Sequence, residues 1–131
     1  MPEICANPRV LVADDSRIWA ERLVELVTER GDIDIVGPAY DGQEALDLLR
    51  KHHPEGALLD LRMPNLSGLD VWRQYKAEGV PCFVVILTSQ LEPSVQEQCF
   101  KAGVSHLLSK SEALECMGEL MDALVAMAAK T

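Results

Sequence analysis

The stretch Phe83-Val-Val-Ile-Leu-Thr88 is apolar at five consecutive positions and ends in a hydroxyl side chain. A run of this length, rich in β-branched residues, predicts a strand that is buried on both faces. Such strands are typical of parallel sheets whose two sides are covered by helices. The segment therefore predicts an α/β fold with a central parallel sheet.

Short apolar runs alternate with helical patterns on either side of this segment. The other predicted strands are residues 9–13, 33–36, 57–60 and 104–109, the second of them ending before Gly37-Pro38. The predicted helices are residues 16–30, 42–53, 67–78, 93–102 and 111–129. On the first helix, the spacing places four apolar residues on one face: Trp19, Leu23, Leu26 and Val27. Strict alternation predicts five parallel strands joined by right-handed crossovers.

Length and charge limit the function classes. The chain has 131 residues, 48% of them hydrophobic, which suits one domain over residues 1–131 with no effector domain. Its ordered core should span residues 8–129, roughly. The formal net charge is −9, from 12 basic and 21 acidic residues, so we expect no direct binding to nucleic acid. The carboxylate surplus suits a divalent cation or a basic partner surface.

Targeting signals and metal-binding cysteine spacings are not evident. The longest apolar run, residues 80–87, is too short to span a membrane, and the first residues lack the apolar core of a signal peptide. The four cysteines are far apart in sequence, at Cys5, Cys82, Cys99 and Cys116. We expect reduced, mostly packed thiols in a cytoplasmic protein.

Charged and hydroxyl side chains occur at the carboxyl ends of the predicted strands. Asp14 and Asp15 follow the first strand, and Asp60 ends the third. Thr88 ends the fourth strand, and Lys110 follows the fifth. Ligands of open parallel α/β sheets bind outside these strand ends, so we expect the five side chains to form one site.

Helix capping and turn formation are alternative roles for some of these residues. Asp and Ser are common N-caps, so Asp15, Ser16 or Ser111 could simply begin a helix. Asp60 does not fit that role, because Leu-Arg-Met-Pro64 follows it and no helix begins there. Three acids, a threonine and a lysine at one edge of the sheet favour a functional site.

Three neighbouring carboxylates favour a bound cation. Two carboxylates about 5 Å apart repel each other by about 3 kcal/mol at an effective dielectric constant of about 20. An all-oxygen ligand set favours Mg²⁺. A carboxylate beside Mg²⁺ and Lys110 can attack phosphorus and become an acyl phosphate, and the Thr88 hydroxyl can donate to a phosphoryl oxygen.

Four motifs, taken together, resemble those of a known family. They are Val-Leu-Val-Ala-Asp14-Asp15-Ser, Leu-Leu-Asp60-Leu-Arg-Met-Pro-Asn-Leu-Ser-Gly68, Ile-Leu-Thr88-Ser and Leu-Leu-Ser-Lys110-Ser. Their order and spacing resemble the receiver domains of two-component response regulators. The resemblance implies a flavodoxin-like (βα)5 fold with strand order 2-1-3-4-5.

The resemblance also implies roles for the candidate residues. Asp60 would be phosphorylated by a sensor histidine kinase or a histidine phosphotransfer protein. Asp14, Asp15 and Asp60, with the backbone carbonyl of Arg62, would hold Mg²⁺. Lys110 would pair with the phosphoryl group. The signal would pass to a downstream effector domain or protein through the fourth helix, fifth strand and fifth helix, and phosphorylation could also drive homodimerisation.

Two positions depart from the family pattern. Family members usually carry an aromatic switch residue on the fifth strand, where this chain has Leu107 with His106 beside it. Lys110 is followed by Ser111 rather than by Pro, which resembles the receivers of LuxR-type transcription factors. We therefore expect movement of Thr88 toward the phosphoryl group to carry the switch, with His106 as a competing substitute for the missing ring.

Two other functions use similar residues. A magnesium-dependent phosphatase of the haloacid-dehalogenase type has an Asp nucleophile and a Lys, but it needs an Asp-x-Asp pair where Leu-Arg follows Asp60. A receiver-like interaction scaffold that is never phosphorylated would normally have lost an acid or the lysine, and both are retained here.

Overall fold

The computed structural model describes residues 7–129, which form five strands and five helices in strict alternation. The strands are β1 Arg9–Ala13, β2 Asp34–Ala39, β3 Gly56–Asp60, β4 Phe83–Thr88 and β5 His106–Ser109. The helices are α1 Arg17–Thr28, α2 Gly42–His52, α3 Gly68–Lys76, α4 Pro93–Lys101 and α5 Lys110–Ala128. All strand pairs are parallel, in the order β2-β1-β3-β4-β5. The predicted fold class is confirmed.

The core consists of two apolar layers, one on each face of the sheet. Alternate residues of the central strands point to opposite faces, as the pleat requires. Leu59 and Ile86 pack with α2, α3 and α4, whereas Leu58 and Val85 pack with α1 and α5. Burial on both faces explains why β3 and β4 are almost continuously apolar.

The strand register brings the polar strand ends together. Ala13 pairs with Leu59, so the residues that follow them, Asp14 and Asp60, lie side by side. Thr88 pairs with Ser109 at the same edge, and Lys110 comes next in the chain. Backbone pairing alone therefore gathers residues that are remote in sequence.

Several element boundaries differ by one to three residues from the sequence-based prediction, among them those of β2, β5 and α5. Strand β2 continues through Gly37-Pro38 to Ala39, because an edge strand tolerates proline, which lacks an N–H donor. Strand β5 begins at His106 rather than at Val104, whose N–H instead donates to the Cys99 carbonyl at the end of α4. Helix α5 begins one residue early, at Lys110.

Three of the four cysteines are free thiols in the described part of the chain. Cys99 is buried, and Cys82 and Cys116 are partly buried; Cys5 lies outside the described residues. Burial raises the pKa of the Cys82 thiol to about 12, so it is unreactive near neutral pH. Within residues 7–129, no helix combines the length and apolar character needed to cross a bilayer.

Candidate functional site

Asp14 lies at the carboxyl end of β1 and is fully buried. Its backbone N–H donates to the Ala39 carbonyl, which ties the end of β1 to the neighbouring strand. Its Oδ1 accepts a hydrogen bond of 2.9 Å from the Ser16 N–H, and Ser16 is the N-cap of α1. The start of α1 therefore fixes the orientation of the Asp14 carboxylate.

Asp60 is the last residue of β3 and is 5% exposed. The loop after Asp60 folds back against the end of β3, where the Gly68 N–H donates to the Leu61 carbonyl. A Cβ atom at Gly68 would collide with the Asp60 backbone oxygen. Glycine at the start of α3 thus allows the close approach that holds the end of β3 in place.

Asp14, Asp15 and Asp60 form one acidic cluster. Each offers a carboxylate oxygen, and these oxygens all lie within 4.8 Å of one another. Asp15 is exposed, so the cluster opens to solvent on that side. The predicted grouping of the three acids is found in the structure.

Lys110 completes the site from α5. Its ammonium lies 2.8 Å from Asp14 Oδ2 and 3.7 Å from Asp60 Oδ2, and the residue is 8% exposed. Apart from this ion pair, the buried Asp14 Oδ2 has no hydrogen-bond partner among the described residues. One ammonium thus lies near two of the three carboxylates of the cluster.

The excess of carboxylates changes the ionisation of Asp60. Burial, followed by the negative charge of Asp14, raises the pKa of Asp60 from an ordinary value of 3.8 to about 7. Lys110 opposes this rise, and a hydrogen bond with Asp15 adds to it. Ionised Asp60 therefore lacks sufficient positive charge around it, and a divalent cation would supply that charge.

Thr88 lies beside the acidic cluster and is buried. Its Oγ1 donates to the Gln90 carbonyl at 3.0 Å and accepts from the Gln90 N–H at 3.3 Å. The hydroxyl is therefore occupied by the turn after β4. The backbone N–H of Leu61 donates to the Leu87 carbonyl at 2.7 Å, which links that turn region to the residue after Asp60.

Arg62 contributes its side chain elsewhere. Its guanidinium is exposed and lies 3.3 Å from Glu92 Oε1, the N-cap residue of α4. Participation of its backbone carbonyl in metal binding stays a prediction. The ion pair links the loop after β3 to the start of α4.

The family model for the response regulator receiver domain matches residues 10–123. The chain belongs to this family.

Curated relatives are identical to this receiver domain at about a third of the aligned positions. A probable transcriptional regulatory protein NarL of Mycobacterium tuberculosis is 34% identical over 102 residues, covering 78% of this chain and 47% of the relative. The response regulator MprA of Mycolicibacterium vanbaalenii is 37% identical over 117 residues, covering 89% and 50%. The chain thus spans about half the length of these relatives.

The same similarity is found among solved structures. The signal receiver domain of the putative response regulator NarL from Mycobacterium tuberculosis has a TM-score of 0.84 and 30% sequence identity. The match covers 92% of this chain and 98% of that one. Receiver domains of this kind are signalling domains that bind Mg²⁺ at an acidic pocket, and the cluster described above has the required oxygen ligands.

Leu107 and His106 lie on opposite faces of the receiver sheet. Leu107 packs against the layer that contains α4, on the face expected for a switch residue coupled to that helix. The exposed His106 ring instead contacts Phe83, at 5.5 Å between ring centroids, and Phe83 belongs to the other layer. Leu107, rather than the His106 ring, therefore packs against the layer that contains α4.

Two features of the site differ from the sequence analysis. Ser109, rather than Ser111, caps α5, because Ser109 and Glu112 form a reciprocal capping box around Lys110. The motif Ser-x-x-Glu was present in the sequence and could have revealed this cap. Trp19 was predicted on the same face of α1 as Leu23 and Val27, which are buried, but it is only partly buried and lies beside Lys110. No local signal indicates that contact, since the two residues meet only in the folded chain.

Proposed function

We propose that this receiver domain accepts a phosphoryl group on Asp60 from a sensor histidine kinase or a histidine phosphotransfer protein. The observation that carries the proposal is the juxtaposition of Asp60 with two further carboxylates within 4.8 Å and the Lys110 ammonium at 3.7 Å. The raised pKa of Asp60 supports the proposal, because it indicates that added positive charge would stabilise the ionised carboxylate.

The proposed transfer is a displacement reaction at phosphorus. A carboxylate oxygen of ionised Asp60 forms the new P–O bond while the P–N bond of the phosphohistidine breaks, and the departing imidazole takes up a proton. Lys110 neutralises charge on the equatorial phosphoryl oxygens. Its existing ion pair with Asp14 keeps the ammonium at the site before the donor arrives.

We infer that Mg²⁺ is held by Asp14, Asp15 and Asp60, with the backbone carbonyl of Arg62. When bound, the ion supplies positive charge to the phosphoryl oxygens and to the crowded carboxylates. The donor set fits a hard cation, because it contains only oxygen atoms and includes a buried carboxylate oxygen with a single charged partner.

Thr88 is proposed to transmit phosphorylation to the surface. Its hydroxyl would exchange the hydrogen bond to Gln90 for one to a phosphoryl oxygen, and residues 89–92 would follow. Glu92, which forms an ion pair with Arg62, is the last of these residues and the N-cap of α4. The surface formed by α4, β5 and α5 would change in consequence, with Leu107 repacking beneath it.

Residues 1–131 are proposed to act as a single receiver domain that controls a downstream effector domain or protein. The relatives named above, a probable transcriptional regulatory protein and a response regulator, are about twice as long as the matched segment, which supports an effector of that kind. The net charge of −9 supports a domain that does not itself bind nucleic acid. Homodimerisation upon phosphorylation is the proposed second output. The domain would assist only its own phosphorylation and dephosphorylation.

Acetyl phosphate and Mg²⁺ test the phosphorylation site. Intact-mass spectrometry should find one added phosphoryl group, labile to base, on the wild type and on the exposed-site control Asp47→Asn. Asp60→Asn should gain none, because an amide is not a nucleophile for this transfer. Stoichiometric phosphate on Asp60→Asn would show that another residue is the acceptor. Sustained turnover of a phosphate ester would instead favour the phosphatase.

A further inference from the structure

Trp19 lies beside the acidic site rather than in the core. It occupies the first turn of α1, and its indole ring faces the Lys110 ammonium at 5.2 Å from the ring centroid. That distance is within the range in which a lysine is attracted to the π face of tryptophan. The two residues connect the first turn of α1 to the first residue of α5.

The same helix turn fixes both Trp19 and Asp14. The Ser16 hydroxyl accepts from the Trp19 N–H at 3.4 Å, while the Ser16 N–H donates to Asp14 Oδ1 at 2.9 Å. Trp19 and the Asp14 carboxylate are thus held by one cap and both contact Lys110. The ammonium lies against the carboxylates and against an aromatic face.

A buried lysine needs more than a charge partner to stay in one place. Its four-carbon stem has many rotamers, and its compact ammonium is strongly hydrated in water. Lys110 is only 8% exposed, so few water molecules can hydrate it, and a cation–π contact strengthens when water is removed. An aromatic face therefore limits where the ammonium can go without adding a competing charge.

We propose that Trp19 is a positioning residue that holds the Lys110 ammonium over the Asp60 carboxylate. The consequence for phosphoryl transfer rests on the function proposed above, whereas the contact itself does not. The alternative is a purely structural role, in which Trp19 only covers apolar surface between α1 and α5. A leucine would serve that purpose nearly as well, but it has no π face.

Nuclear magnetic resonance of the metal-free protein tests the contact independently of phosphorylation. The Lys110 ε-methylene protons should show an upfield ring-current shift in the wild type and in Trp19→Phe, and should lose it in Trp19→Leu. Ile18→Ala is the matched control, because Ile18 is the neighbouring α1 residue and is 82% exposed. Amide spectra confirm that each variant is folded. An unchanged Lys110 shift in Trp19→Leu would overturn the proposal.

Phosphorylation kinetics test the consequence. At saturating Mg²⁺ and acetyl phosphate, Trp19→Leu should lower the maximal rate about fivefold, without changing the Mg²⁺ concentration for half-saturation. Trp19→Phe should restore most of the rate, and Trp19→Leu should have no further effect in a Lys110→Met background. An equal loss in that background, or an effect only on Mg²⁺ affinity, would refute positioning through Lys110. Absence of phosphorylation in the wild type would refute the proposed function, and the Lys110 shift would still decide the role of Trp19.

Discussion

Replacing Asp60 with asparagine should stabilise the metal-free domain at alkaline pH. The wild-type carboxyl is buried beside Asp14 and has a pKa raised from 3.8 to about 7. The folded state therefore binds more protons than the unfolded state between these two values, and stability falls as the pH rises through that window. Asparagine fills the same space and carries no charge, so it should remove this loss.

The expected gain follows from the displacement of the pKa. A rise from 3.8 to about 7 corresponds to about 4 kcal/mol for a carboxyl fully shielded from water. Water reaches the cluster through exposed Asp15, and such screening reduces the figure to about 2 kcal/mol. The free energy of unfolding of Asp60→Asn should therefore exceed that of the wild type by about 2 kcal/mol near pH 8, and the difference should shrink as the pH approaches 4.

Urea unfolding in the presence of EDTA, followed by circular dichroism across this pH range, measures the difference directly. Glu119→Gln makes the same charge change at an exposed site on α5 and should show no comparable pH-dependent gain. Adding Mg²⁺ should then raise the free energy of unfolding of the wild type. The increase should be about 1.4 kcal/mol at a Mg²⁺ concentration ten times the dissociation constant. Equal stabilities of the wild type and Asp60→Asn near pH 8 without metal would refute the electrostatic reasoning.

Three further predictions concern neighbouring residues. Asp14→Asn should weaken Mg²⁺ binding roughly tenfold or more in a calorimetric titration, because a charged ligand is lost; an unchanged titration would leave Asp14 as a helix-capping residue only. Gly68→Ala should lower the free energy of unfolding by about 1–3 kcal/mol, since its methyl group meets the Asp60 backbone oxygen, and unaltered urea unfolding would contradict that contact. Thr88→Ala should largely abolish the beryllofluoride-induced amide shifts of residues 92–110 while Leu107→Ala keeps them, and equal responses in Thr88→Ala and the wild type would exclude the Thr88 route.

Local sequence patterns were sufficient to predict the elements of this fold. The apolar runs of β3 and β4 are long enough for a strand and too continuous for a half-exposed one, so they indicate a covered parallel sheet. Boundaries were less accurate next to helix ends. The Ser109–Glu112 capping box lets α5 begin at Lys110, and the Val104 N–H donates to the Cys99 carbonyl at the end of α4 instead of pairing within β5. The strand order came from the resemblance to receiver domains and was confirmed by the structure.

The members of the acidic site also followed from sequence, since each lies at a strand end and parallel strands end at one edge. Tertiary structure alone decided how these members interact. The carboxylate crowding that raises the pKa of Asp60 depends on the β1–β3 register, and the Trp19–Lys110 contact depends on how α1 packs near α5. Likewise, the pleat of β5 places His106 and Leu107 on opposite faces of the sheet. Only the tertiary structure determines that Leu107 packs against the layer that contains α4. Periodicity describes one element at a time, whereas distances between elements arise only when the whole sheet and both helical layers are assembled.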